Sequence, residues 1–337
     1  MRSFFRFIFV ILVLGAAALG VAGWYVLNQF DAPGPAAYEG ETETIVSLPL
    51  GTGLNQAANI LQQKGVIKSA IVFRAGVMYN RKTAALKAGE YAIPSGASPR
   101  QIMELLIAGK SIIYKLTLAE GLTSATILDL VRKHPTLTGD ITLAPSEGSL
   151  LPETYIFNRG MARDDLILRM QEDHKRVLDE LWAGRAPNLP ISTKEEAVIL
   201  ASIVEKETGV AEERPRVAAV FVNRLRKGMK LQSDPTIIYG LTKGVPLGRG
   251  IRQSELDKPT PYNTYVIVGL PPTPIANPGK ASLAAVMNPA ATEDLYFVAD
   301  GTGGHVFAAT LADHEKNVKN WREIEKQRAA ASGNTSR

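Results

Sequence analysis

The sequence predicts an α+β protein with an N-terminal transmembrane helix, a small α+β module and a larger mixed α+β domain. Three observations support this: an uncharged apolar run at residues 7–27, short β-branched strands alternating with amphipathic helices from residue 44, and a strand–glycine turn–strand pattern near the end. The 337 residues suffice for two ordinary domains plus some extra. A content of 45% hydrophobic and 21% charged residues is typical of a globular protein.

The apolar run at residues 7–27 is long enough to cross a bilayer, because about 20 residues at a rise of about 1.5 Å span its hydrocarbon core. A cleaved signal peptide is the alternative, suggested by the small residues at 16–18. The run is longer than a usual signal-peptide core and ends at Trp24 and Tyr25, which suit a membrane–water boundary. These features favour a retained anchor.

The charges that flank the span predict its orientation. Arg2 and Arg6 precede it, whereas the first basic residue after it is Lys64. By the positive-inside rule, residues 1–6 are cytoplasmic and the bulk of the chain lies on the other side of the membrane. Residues 28–43, rich in Pro, Gly and acids, are predicted to form a linker that keeps the folded part near the membrane.

The folded part is predicted to have two regions. Residues 44–110 contain two strand–turn–helix units with a helix between them, at residues 70–79. This module has no cluster of acid, base and nucleophile, so it is expected to dock or pack. Residues 111–330 form the larger domain, and residues 331–337 a flexible tail.

Composition argues against several classes of function. The net charge is +5, but no basic run of five or more appears, so nucleic-acid binding is not expected. The absence of cysteine excludes thiol catalysis, disulfides and thiolate metal sites. The four histidines are far apart and no HExxH is present, so we expect neither a metal nor a cofactor.

Chemistry concentrates at the stretch LASIVEKETG, residues 200–209. Its helix begins at a capping box formed by Ser192 with Glu195 or by Thr193 with Glu196, and Gly209 is a natural end. The buried stripe consists of Ala197, Leu200, Ala201 and Val204.

Two glutamates at the end of this helix cannot face each other. At about 100° per residue, Glu205 and Glu207 lie some 200° apart around the axis and flank the buried stripe on opposite sides. Ordinary glycoside hydrolysis needs two carboxylates across the scissile bond. One carboxyl suffices where the substrate supplies its own nucleophile, as the C6 hydroxyl of a muramic acid residue does.

Polar groups suited to a sugar follow in two loops. Gln232 and Asp234 lie in a polar turn, although Asp234 is equally suited to cap the next short helix. Tyr262, Asn263 and Thr264 offer aromatic faces beside amide and hydroxyl groups, as sugars require, although a proline-bounded loop with a core tyrosine looks similar.

Two further positions favour structural interpretations. Glu153 stands beside aromatic residues and could bind sugar, but an exposed turn carrying a core Tyr and Phe is commoner. His305 could shuttle protons, but a hydrogen-bonded strand histidine is the commoner explanation.

Three segments together resemble the endolytic murein transglycosylase (YceG-like) family, in the same order and over more than 100 residues. They are ASIVEKETGVAEERPRVAAVFVNRLRKGMKLQSDPTIIYG, KPTPYNTYVIVGLPPTPIANPG and LYFVADGTGGHVF. The resemblance includes the N-terminal anchor and implies that residues 44–110 are a LysM-like module and that residues 111–330 are a catalytic transglycosylase domain. Residues 111–192 match only loosely.

The resemblance implies a function and a site. It implies non-hydrolytic cleavage of nascent peptidoglycan within the strand, at the bacterial inner membrane, leaving 1,6-anhydro ends, with peptidoglycan synthases as partners. The catalytic carboxyl would be Glu207, because a small hydroxyl residue follows the catalytic glutamate in lytic transglycosylases, as Thr208 does here. Glu207 would act as general acid and then as base. The implied supporting residues are Glu205, Thr208 and Asn223, and the implied substrate-binding residues are Gln232, Asp234, Tyr262, Asn263 and Thr264. A hydrolytic muramidase and a non-catalytic wall-binding scaffold are the rival functions.

Overall fold

A computed structural model describes residues 2–38 and 40–333. The chain divides into two compact units. The first runs to Lys115 and includes Ile156–Met161, and the second comprises Leu116–Tyr155 and the chain from Ala162 onward.

The first unit begins with the apolar helix and continues as the small α+β module. Its elements are α1 Arg2–Asp31, β1 Glu43–Leu48, α2 Leu54–Gln63, α3 Ala70–Tyr79, a 3-10 turn Thr83–Ala85, β2 Gly89–Pro94 and α4 Pro99–Ala108. The helix α1 contains one segment, Arg6–Asp31, long and apolar enough to cross a membrane, which is compatible with the predicted span. The predicted central helix of the module is α3, with the same bounds.

The strands β1 and β2 pair antiparallel, with Val46 opposite Tyr91. Their inner face packs on the helices around a core that includes Leu61, Phe73 and Leu106. Gly109 ends α4 in a left-handed conformation, as its position in the sequence predicts. The module is therefore a strand–helix–helix–strand–helix unit with its own core.

The predicted linker, residues 28–43, is largely held against the module. Residues 28–31 continue α1, and Phe30 is fully buried in the module core. Backbone hydrogen bonds join Gly34 N–H to Gly96 O and Gly96 N–H to Pro35 O. The Pro- and Gly-rich composition predicted a linker, and it gave no sign that this backbone finds partners on the module. Glu39 lies outside the described residues.

A two-stranded sheet pairs β3 Ile113–Thr117 with β4 Thr154–Asn158. The first unit extends to Lys115 rather than residue 110, because a polar network anchors these residues to β2. Arg159 Nε donates to Glu90 Oε2 at 3.0 Å, and the Tyr114 hydroxyl donates to the same carboxylate. Tyr155 and Phe157 of β4 are buried, whereas Glu153 is exposed. Burial thus agrees with the structural interpretation of that turn.

The second unit is mostly helical. Its elements beyond β3 and β4 are α5 Ser124–Lys133, α6 Arg163–Ala183, α7 Lys194–Glu207, a 3-10 turn Ala211–Glu213, α8 Arg214–Arg226, α9 Asp234–Thr242, α10 Gln253–Leu256, α11 Lys280–Met287, β5 Tyr296–Ala299, β6 His305–Ala308 and α12 Leu311–Gly333. The core lies where α7, α8 and α11 pack together, around residues such as Leu200, Phe221 and Leu283.

The predicted hairpin near the end is confirmed: β5 and β6 pair antiparallel, with Phe297 opposite Phe307. The helix α12 follows and packs on both strands. It continues to Gly333, so residues 331–333 of the predicted tail are helical, and residues 334–337 lie outside the described residues.

Candidate active site

The helix α7 places two carboxylates at its end. Thr193 and Glu196 form its capping box, so the second of the two registers allowed by the sequence is the one that forms. The helix stops at Glu207 because Thr208 is extended, two residues before the predicted end at Gly209. The eight residues from Ala197 to Val204 are all buried, which fixes the helix firmly in the core.

Glu205 lies on the structural side of α7. Its Oε2 accepts a 2.9 Å hydrogen bond from the backbone N–H of Gly279, and its Oε1 lies 3.7 Å from the Arg214 guanidinium. The side chain is only 5% exposed. This carboxylate therefore ties α7 to the start of α11 and to α8.

Glu207 points the other way, into a cleft. Its Oε1 accepts a 2.5 Å hydrogen bond from the Ser233 hydroxyl. Burial raises the pKa of the carboxyl to about 7; the Ser233 hydrogen bond lowers it and the neighbouring Asp234 carboxylate raises it further. Near neutral pH, this group is thus divided between its acid and base forms.

The cleft around Glu207 has a volume of about 510 Å³. One part of its wall is polar and the other apolar, a combination suited to a sugar ring. The structure brings predicted residues Glu207, Gln232 and Asp234 together here. Its lining is Glu207, Arg224, Leu231, Gln232, Asp234, Tyr265, Phe297, Val298, His314 and Val318.

Asp234 is the first residue of α9 rather than its cap, which is Ser233. Its Oδ1 accepts a 2.6 Å hydrogen bond from the Tyr265 hydroxyl. Burial, followed by this contact with the carboxylate, raises the pKa of Tyr265, so the phenol stays protonated and remains a donor. The cleft thus contains a second carboxylate, which the spacing of Glu205 and Glu207 does not predict.

Arg224 is a cleft residue that was not predicted from the sequence. Its Nε donates to Leu295 O at 2.7 Å and its Nη1 to Leu231 O at 2.6 Å. A signal existed, since Arg224 continues the i, i+3, i+4, i+7 stripe that starts at Val217. A cation on an apolar helical stripe needs partners, and here two carbonyls supply them.

Asn263 and Thr264 are buried rather than open to the cleft. The Asn263 amide donates to the carbonyls of Glu255, Leu256 and Lys258, at 2.8–3.1 Å. Thr264 Oγ1 accepts from Ser233 N–H at 2.9 Å. These two residues hold the loop that carries Tyr265 and the turn that carries Ser233, so they position the cleft from behind.

Tyr262 lies in a different cavity of the second unit, of about 620 Å³. Its ring lies 5.2 Å from that of Tyr239, and its hydroxyl is 2.7 Å from Thr273 Oγ1. Of the two tyrosines in this loop, Tyr265 is the one beside Glu207. The sequence does not separate them, because both lie in a turn whose geometry depends on Asn263.

The remaining predicted residues have structural contacts. Thr208 Oγ1 accepts from Val210 N–H at 3.0 Å, and the Asn223 amide donates to Thr292 O at 2.8 Å. His305 lies on β6, and its Nδ1 is 2.8 Å from Glu213 Oε2. Within residues 2–38 and 40–333, no group of three His, Asp or Glu side chains has a metal-binding arrangement.

The sequence of this chain is similar to those of known proteins over most of its length. A family model described as the YceG-like family matches residues 46–320. A protein of Bacillus subtilis named endolytic murein transglycosylase is 30% identical, over 84% of this chain and 86% of its own length. One of the same name from Streptococcus pneumoniae D39 is 29% identical over 92% of this chain, which spans 64% of that relative.

A solved structure is also similar to this chain. The crystal structure of a yceG-like protein from Listeria monocytogenes has a TM-score of 0.50 and 29% identity, covering 82% of this chain and 98% of that one. The family model spans most of the sequence and includes all of the residues that line the cleft. This chain belongs to the YceG-like family.

Proposed function

We propose that this protein is an endolytic peptidoglycan transglycosylase in which Glu207 acts first as general acid and then as base. The observation that carries the proposal is the position of Glu207: a carboxyl with its pKa raised to about 7, in a cleft large enough for sugar rings. Relatives of this chain are named endolytic murein transglycosylases, which supports peptidoglycan as the substrate class.

The chemistry requires one proton to be given and one to be taken. Protonated Glu207 donates its proton to the glycosidic oxygen, and the bond from that oxygen to C1 of the muramic acid breaks. The resulting carboxylate then accepts the proton of the C6 hydroxyl, while O6 forms a bond to C1. The product is a 1,6-anhydro sugar, and no water is consumed.

The environment of Glu207 suits both steps. Burial favours the neutral acid, and the Ser233 hydroxyl stabilises the carboxylate once the proton has left. Asp234 and Tyr265, held together at 2.6 Å, present one carboxylate and one phenol to a bound sugar. We assign these groups, with Gln232, to substrate orientation.

One observation favours hydrolysis as the second candidate. Glu207 and Asp234 both line the cleft, and two carboxylates are what a hydrolytic muramidase needs. In that reaction Asp234 activates water or attacks C1, and the new reducing end gains one water. The two functions therefore differ in the mass of the product.

Digestion of purified peptidoglycan glycan strands in H₂¹⁸O separates them. A transglycosylase gives internal cleavage with anhydro ends and no ¹⁸O, whereas a muramidase gives reducing ends that contain ¹⁸O. Glu207→Gln is expected to abolish cleavage, with Glu212→Gln, the same change at an exposed carboxylate, as the matched control. Unchanged cleavage by folded Glu207→Gln would overturn the assignment, and strand binding with no cleavage by the wild type would favour a scaffold.

We also propose the placement of this enzyme. The helix α1 is compatible with a single-pass anchor, and the charges around it favour a cytoplasmic N-terminus. The strand–helix–helix–strand order of residues 44–110 is consistent with a LysM-like glycan-binding module. An anchored enzyme meets newly made strands first, so enzymes of peptidoglycan synthesis at the inner membrane are the partners we expect.

A further inference from the structure

The helix α3 of the small module has an apolar outer face. Phe73, Gly76 and Val77 point into the core, as expected for an amphipathic helix. The outward positions are also apolar: Ile71 is 67% exposed, Met78 63% and Tyr79 69%. Three large apolar side chains on one ten-residue helix form a patch that water solvates poorly.

The end of α1 lies directly beside this helix. Phe30 is fully buried, its ring centroid is 6.4 Å from that of Phe73, and Gly76 leaves the room that the Phe30 ring fills. Tyr25 and Gln29 line one small pocket with Lys68, Ser69 and Val72, at the start of α3. The first turn of α3 is therefore level with the last turns of the candidate span Arg6–Asp31.

This contact fixes the height of α3 relative to a membrane. If α1 spans a bilayer, aromatic residues such as Trp24 and Tyr25 lie near the headgroups. The start of α3 then lies at the same depth, because it packs against the same turns of α1. There is no free linker at this point to move the module away.

The charges of the module fit a negatively charged surface. Residues 44–89 contain six basic residues and no acidic one. Four of the six lie in α3 or within three residues of its ends: Lys68, Arg74, Arg81 and Lys82. Basic residues beside an apolar helical face are the pattern of helices that lie in the interface of anionic membranes.

We propose that the outer face of α3 lies in the headgroup region of the membrane that α1 spans, where its basic neighbours bind anionic phospholipids. Ile71, Met78 and Tyr79 enter the interface, and Lys68, Arg81 and Lys82 contact lipid phosphates. The module is then an interfacial element with a fixed orientation. This proposal depends on α1 as an anchor and not on the chemistry at Glu207.

Nitroxide labels on the full chain test it, because the protein has no cysteine and single cysteines can be introduced. Three positions match in exposure: Leu14 in α1 at 64%, Met78 in α3 at 63% and Val268 in the second unit at 64%. Each Cys variant is reconstituted in nanodiscs that contain phosphatidylglycerol or only phosphatidylcholine. Collisions of the label with oxygen and with a water-soluble nickel chelate then report its depth.

We expect Leu14→Cys to report hydrocarbon, Val268→Cys water, and Met78→Cys an intermediate depth with at least threefold less nickel access than Val268→Cys. In phosphatidylcholine, or after Lys68→Gln, Arg81→Gln and Lys82→Gln together, the protection at position 78 should weaken. Lys227→Gln, Lys230→Gln and Lys316→Gln are the matched charge control.

Equal nickel access at positions 78 and 268 would overturn the proposal. Protection at position 78 that is the same with both lipids would overturn the role of anionic phospholipid. Protection that requires a second copy of the chain, seen as a dependence on the number of chains per disc, would assign this face to a dimer instead. A water-exposed label at position 14 would show that the anchor itself is wrong.

Discussion

The Ser233 hydroxyl lies 2.5 Å from Oε1 of Glu207 and donates a hydrogen bond to it. Ser233 and the next residue, Asp234, act on that carboxyl in opposite directions. The hydrogen bond from Ser233 lowers the pKa of Glu207, and the charge of Asp234 raises it, on top of the larger increase that burial causes. Two consecutive residues at the start of α9 thus adjust one acid.

Replacing either residue should shift the pH profile in a known direction. Ser233→Ala removes a stabiliser of the carboxylate, so the alkaline limb of kcat/KM should move to higher pH. Asp234→Asn removes a repulsive charge, so the limb should move to lower pH, by about 0.5–1 unit in each case. The measurement is strand cleavage from pH 5 to 9. Shifts in the same direction for both variants would contradict the assignment.

The raised pKa of Glu207 also predicts a stability effect. The pKa of the carboxyl is about 7 in the folded chain but near its ordinary value of 4.5 when unfolded, so the folded state becomes less stable as pH rises through this range. Glu207→Gln, which cannot ionise, should therefore be more stable than the wild type at pH 8, by at most about 3 kcal/mol. At pH 4 the two should be similar. Chemical denaturation at both pH values checks this, and Glu212→Gln should show no such difference.

The two tyrosines of one loop should differ in their importance for cleavage. Tyr265→Phe removes the donor to Asp234 and should lower kcat/KM about 10- to 100-fold, because the carboxylate loses its fixed orientation. Tyr262→Phe changes a hydroxyl in another cavity and should have an effect below about threefold. A large loss for Tyr262→Phe with a small loss for Tyr265→Phe would instead support the substrate-binding role predicted from sequence.

Local sequence patterns predicted the helix α7 and the hairpin of β5 and β6. The apolar stripe of α7 and the opposite directions of Glu205 and Glu207 follow from 3.6 residues per turn, and the structure places the two carboxylates accordingly. The hairpin of β5 and β6 was also predicted from local sequence, because glycines form the turn between its two strands. Spacing along the chain therefore separated the two carboxylates, whereas the choice of Glu207 as the acid came from the family resemblance.

The rest of the cleft depends on contacts between distant segments. Tyr265 reaches Asp234, 31 residues earlier, only because Asn263 and Thr264 fold the loop inward. A polar residue that binds the backbone looks the same in sequence as one that binds a ligand. Residues 28–43 show the same limit, since the backbone hydrogen bonds that join Gly34 and Pro35 to Gly96 follow no side-chain pattern.

A buried histidine should make the second unit sensitive to acid. His174 is 7% exposed, and burial lowers its pKa to about 4. As pH falls below the ordinary histidine pKa of 6.5, the unfolded chain gains a proton that the folded chain does not, so stability should fall by up to about 3 kcal/mol by pH 4. His174→Gln, which does not titrate, should flatten this dependence. Thermal unfolding from pH 7.5 to 4.5 tests it, and an unchanged slope would show that other groups cause the acid sensitivity.

The packing of Phe30 on Gly76 should determine how firmly α1 is joined to the module. A Cβ added at Gly76 would lie 2.2 Å from Cδ2 of Phe30, so Gly76→Ala must displace that ring. We expect a loss of about 1–3 kcal/mol in the stability of the first unit from this overpacking, and about 3–5 kcal/mol from Phe30→Ala, which leaves a cavity. Gly250→Ala, where a Cβ meets nothing within 4 Å, is the control.

The double variant makes this prediction specific. If the Phe30 ring is what Gly76→Ala displaces, then adding Gly76→Ala to Phe30→Ala should cost little or even restore some stability, because the new methyl group enters the space that the ring has left. Unfolding of the first unit can be followed by limited proteolysis between Asp31 and Thr42, because contacts such as the Gly34 N–H to Gly96 O hydrogen bond hold this segment on the folded module. Purely additive losses would show that Gly76 and Phe30 act independently.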